Sequence, residues 1–79
     1  MAYDYYKVAD EICDRLQASG LEEQAQRIKE AIASGSTGTE ILMALRFEVG
    51  ELLKGNASLD AELRLEIQSL ISHINAALS

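Results

Sequence analysis

The stretch ASGSTGTEILMALRFEVG, residues 33–50, decides how the chain folds, because its first half has two readings. Glycines, serines and threonines leading into an apolar run are the parts of a loop that cradles a phosphate at a helix start. The same residues also make a joint between two helices. The joint accounts for every one of them. Gly35 terminates a preceding helix, and Thr37 with Glu40 forms a T-x-x-E capping box that opens the next. A phosphate loop wants a lysine after its glycines, whereas Gly38 is followed by Thr39 and Glu40, and a carboxylate repels phosphate.

Working outward from that joint, proline is absent and apolar residues recur at helical spacing, so the chain reads as all-α. Toward the N-terminus, Leu21, Ala25, Ile28 and Ile32 make the narrow stripe of a helix over about 21–33, with Ser19 and Glu22 as its capping box. Before it, Tyr5, Val8, Ala9, Ile12, Cys13 and Leu16 gather on one side of a helix over about 3–18, which Gly20 ends in a left-handed conformation. Toward the C-terminus a third helix spans about 39–54 and ends at Gly55. A fourth, over about 59–78 with Ser58 as N-cap, carries Leu59, Leu63, Ile67, Leu70, Ile71, Ile74 and Leu78. The expectation is one domain over residues 1–79: a four-helix bundle, or two antiparallel helical hairpins packed at a steeper angle.

Composition narrows the function classes. Seventy-nine residues form one small core. A formal net charge of −6, with the seven bases scattered, makes nucleic acid and anionic lipid surfaces poor partners. Asp4, Glu22, Glu23, Glu40, Asp60 and Glu62 fall where four helices begin, so helix dipoles account for about half of the acids. The one cysteine, Cys13, permits no intrachain disulfide, and neither a secretory leader nor a membrane span is visible. A cytoplasmic location is therefore expected, and the sequon at Asn56-Ala57-Ser58 reads as loop chemistry.

The pattern breaks on the third helix. Ile41, Leu42, Leu45, Val49, Leu52 and Leu53 form a broad core face. Met43, Phe47, Gly50 and Lys54 lie within an arc of about 60° on the opposite side, where a bundle helix shows polar residues to water. Either the helix is central and this second stripe is also core, or the stripe is a seam for a second subunit or another protein, with Phe47 as anchor. A second candidate surface is the outer side of the first helix, where Asp10 and Asp14 stand four apart while Glu11 with Arg15, Glu23 with Arg27 and Asp60 with Arg64 place acid before base.

No catalytic set converges. His73 is the only histidine, on the flank of the fourth helix beside Glu66, and the residue three before it is Leu70, so the Glu-x-x-His metal motif fails. Cys13 points toward the core without a histidine or second cysteine nearby in sequence. No cofactor, metal or small-molecule substrate is implied, and the chain is expected not to be an enzyme.

Three likenesses follow from these residues. Residues 36–45, with Ser36 ahead of Met43-Ala44-Leu45, resemble the start of the second helix of acyl carrier proteins. That likeness implies a carrier modified with pantetheine at Ser36, although Gly35 and Thr37 replace the family's aspartate and leucine, and residues 21–33 are helical where carriers have a long loop. The block over residues 35–46 resembles one in short bacterial all-helical proteins, which implies no particular activity. In size, acidity and helix count the chain is similar to bacterial immunity proteins, which implies capture of a basic toxin. The expected function is accordingly a non-enzymatic interaction protein, self-associating or binding a protein partner through Met43, Phe47 and Gly50, with an acyl-carrier-like protein as the alternative.

Overall fold

The computed structural model describes residues 3–55 and 59–79. They form four helices: α1 (Tyr5–Ala18), α2 (Glu22–Ser34), α3 (Gly38–Gly55) and α4 (Ala61–Leu78). The fold is an all-α bundle in which consecutive helices pack together and α1 closes the ring on α4. Side-chain bridges set the directions. Arg15, late in α1, reaches Glu62 early in α4, while the Tyr5 hydroxyl at the start of α1 meets the His73 carbonyl. Arg46, midway along α3, reaches Asn75 near the end of α4. α1 and α4 therefore run antiparallel. Among the described residues no helix is long and apolar enough to cross a membrane.

The helix starts differ from the expected ones because two aspartates take the capping role. The Asp4 carboxylate accepts from the Lys7 backbone N–H at 3.1 Å, so α1 begins at Tyr5. Asp60 likewise accepts from Leu63 N–H at 2.8 Å, so α4 begins at Ala61. Ser58, the expected cap, and the sequon at Asn56-Ala57-Ser58 lie outside the described residues.

At the first joint the Ser19–Glu22 capping box gives way to a different closure. Gly20 adopts φ 82°, its N–H bonds to the Gln17 carbonyl, and Leu21 N–H reaches back to Leu16 at 2.8 Å. These two bonds make a Schellman motif, with apolar Leu21 and Leu16 at the positions that such a motif joins by contact. Ser19 is held inside that turn as the C-cap of α1, and Leu21 stands at the head of α2 without a side-chain cap.

Gly35 ends α2 as expected but in extended backbone, φ −75° and ψ 140°. Space, and not handedness, requires glycine here: a Cβ would strike Ile41 Cγ1 and lie 3.1 Å from the Ile41 backbone. Half of the expected box at the head of α3 is present, since Glu40 N–H donates to Thr37 Oγ1 at 3.2 Å. The Glu40 carboxylate accepts from Ser36 Oγ instead, at 3.0 Å.

The core joins Ile12, Cys13 and Leu16 of α1 to Ala25 and Ile28 of α2, Leu45, Val49 and Leu52 of α3, and Leu63, Ile67, Leu70 and Ile74 of α4. Leu59, just ahead of α4, is buried with them. The stripe expected for each helix is the one that faces inward. Ala31, outside the expected α2 stripe, is also buried.

Candidate interaction surface on the third helix

α3 spans the height of the bundle between α2 and α4 and sends Leu45, Val49 and Leu52 inward. Its helical spacing then forces Met43, Phe47 and Gly50 to the far side. There Phe47 is 63% exposed and Met43 50% exposed, so their rings and methylenes meet solvent in the single chain. A Cβ built on Gly50 would have no described atom within 4 Å. A glycine in a helix interior is unfavourable by about 1 kcal/mol relative to alanine, and nothing in the described chain uses the room it leaves. Lys54, lower on the same stripe, makes an exposed contact to Glu51, 3.5 Å away.

The rim of this stripe is electrically mixed. Glu40 stands in its first turn and Lys54 in its last. On the α4 side, Arg46 donates to Asn75 Oδ1 at 2.8 Å. Apolar residues are thus framed by opposite charges at the two ends of the helix.

Asp10 and Asp14 are both exposed on α1, which lies diagonally across the bundle from α3. The two candidate surfaces are therefore not brought together. Asp10 borders an open groove of about 650 Å³ between α1 and α2, shared with Tyr6, Lys7, Lys29 and Ile32. Asp14 borders another between α1 and α4, with Glu11, Arg15 and Glu66. The expected Glu11–Arg15 pairing is replaced: Arg15 bridges to α4, binding Glu66 at 3.0 Å and Glu62 at 3.1 Å. Donating a hydrogen bond to the Glu62 carboxylate raises the Arg15 pKa still further.

His73 and Glu66, expected side by side, have separate partners. The His73 ring stacks on Tyr3, with centroids 3.7 Å apart, and its Nδ1 donates to the Ser69 carbonyl at 2.8 Å. Tyr3 also meets Tyr5 edge to face, and burial raises its phenol pKa. Glu66 faces Arg15, and its Oε1 is buried without a described hydrogen-bond partner. Among the described residues no group of three or more His, Cys, Asp or Glu is placed to hold a metal ion. Cys13 is buried, its thiol donating to the Ala25 carbonyl at 3.5 Å, and desolvation pushes its pKa up. Ser36 is exposed at the α2–α3 joint, with its hydroxyl donated to Glu40.

Two further exposed apolar residues, Tyr6 and Leu65, escape a reading that follows only core stripes. Leu65 is 65% exposed, and its position is legible in principle: it lies about 200° around the helix from both Leu63 and Ile67. It stands apart from any apolar row, as isolated surface leucines commonly do. No protein-family model matches this chain, and no curated protein or solved structure is significantly similar to it.

Proposed function

We propose that this protein is a non-catalytic docking module whose outer α3 face, formed by Met43, Phe47 and Gly50, seats another protein surface. One observation carries the reading: the chain's single phenylalanine stands in solvent one helical turn from an exposed methionine, beside a glycine whose vacant side-chain position the described chain does not fill. Aromatic anchors beside small residues are what closely approaching helices use, and methionine adapts its shape to the surface it meets. The acidic balance of the chain favours partners that are neutral or basic at the contact.

The competing role for Phe47 is structural, and dilute-solution stability separates the two. Phe47→Asp is expected to leave the melting temperature of the monomeric chain within about 3 °C of wild type, since an exposed ring contributes little to folding. Leu45→Ala, on the opposite face of the same helix, is expected to lower it by roughly 10 °C or more, through loss of about 2–5 kcal/mol. A Phe47→Asp variant that melts as low as Leu45→Ala would assign the ring to the fold and remove the docking face.

A further inference from the structure

We infer that the occupant of this face is a second copy of the same chain, paired antiparallel through α3 about a two-fold axis at Phe47. The inference rests on the docking reading above and adds the partner and its geometry.

The argument is one of register. Glu40 and Lys54 each stand seven residues from Phe47, in the first and last turns of α3. Seven residues are nearly two helical turns, so Glu40, Phe47 and Lys54 share one stripe. A two-fold axis at Phe47 runs the second helix in the opposite direction and sets Glu40 of each copy beside Lys54 of the other. The same operation brings Met43 to the level of Gly50 of the second copy, because these residues lie four and three positions to either side of Phe47. Met43 and Gly50 are displaced to the same side of the stripe, by about 40° and 60°, so the methionine meets the position where glycine has no side chain. The two rings meet at the axis. One register thus satisfies charge, volume and apolar contact together, which is the self-complementarity that a two-fold interface demands.

Both charges are available. Among the described residues Lys54 meets Glu51 through an exposed contact, and Glu40 is exposed beside Ser36. Two chains of charge −6 repel at long range, but at 0.15 M salt the screening length is about 8 Å, which weakens that repulsion while leaving contact pairs in force. A single helix pair buries less than the roughly 1,600 Å² of a standard interface, so the pairing is weak and reversible.

Sedimentation equilibrium of the full chain at 0.15 M salt, from micromolar to millimolar concentration, tests the inference. Wild type is expected to pass from monomer to dimer, and Phe47→Asp to remain monomeric throughout. Glu40→Lys alone sets lysine against Lys54, and Lys54→Glu alone sets glutamate against Glu40. Each is expected to weaken pairing at least about threefold, the effect of one modest charge contact. An equimolar mixture of these two variants restores opposite charges at both ends and is expected to associate more tightly than either alone. A wild type that stays monomeric to millimolar concentration overturns the inference, as does a mixture no tighter than its components. If that monomer's Phe47→Asp variant keeps the wild-type melting temperature, the docking reading stands with a different occupant. If it melts like Leu45→Ala, the docking reading fails as well.

Discussion

Gly20 and Gly50 should answer the same substitution with opposite signs. Gly20 sits at φ 82°, where a Cβ crowds the backbone, so Gly20→Ala is expected to destabilise the chain by about 1 kcal/mol. Gly50 is in ordinary helical backbone with open space around its absent side chain, so Gly50→Ala is expected to stabilise the monomer by about 0.5–1 kcal/mol. Urea denaturation of both variants in dilute solution checks the pair, and equal signs would contradict these backbone assignments. Gly20 was legible in the sequence because a left-handed residue is commonly glycine and it follows a completed apolar stripe. The reason for Gly35 was not: its close approach to Ile41 depends on where the third helix leaves the joint, and composition carries no record of that distance. Arg15 makes the same point. Four-residue spacing pairs it with Glu11, but the fold offers it two carboxylates on α4.

At the scale of the elements, hydrophobic period located all four helices within two residues, and cap chemistry placed some of their ends. Asp60 caps α4 through a 2.8 Å bond to Leu63 N–H, and Asp60→Ala is expected to destabilise the protein by about 1 kcal/mol. Asp60→Ser, which retains an acceptor, is expected to recover most of that in the same thermal melts. A comparable loss in both variants would instead implicate the negative charge beside the helix dipole. Period could not say which polar residue would cap. Ser19 has the sequence spacing of an N-cap, yet it lies within the turn that closes α1, where the Schellman bonds take precedence. α3 presents the opposite case. Its two apolar faces were plain in the sequence, and only the assembled bundle distinguishes the face against α2 and α4 from the face left in water.

At the scale of the whole molecule, a core of this size leaves a narrow margin of stability, and a single ionisable group inside it influences the pH response. Burial raises the Cys13 thiol above its ordinary value near 9, so the folded chain holds this proton after the unfolded chain has released it. Stability from this group is complete below the unfolded thiol's pKa and is lost as pH rises through the folded value. Tyr3, also raised by burial, adds a decline of the same sign beginning near pH 10. Wild type is thus expected to lose stability from about pH 9 upward, and Cys13→Ala to lose it less steeply between pH 9 and 10. Chemical denaturation across pH 7–10.5 checks this, and identical slopes would show that the thiol is not desolvated in solution.

The sequence by itself determined the all-α class, the helices and the inward stripes, because these follow from local period and backbone preference. It also showed that α3 is apolar on both sides. Only the tertiary structure decided that Met43 and Phe47 stay outside, that Arg15 serves α4, and that the aspartates of α1 lie diagonally across from α3. Burial and pairing depend on which helices become neighbours. That is settled by packing between residues distant in the chain, a quantity absent from any short stretch of it.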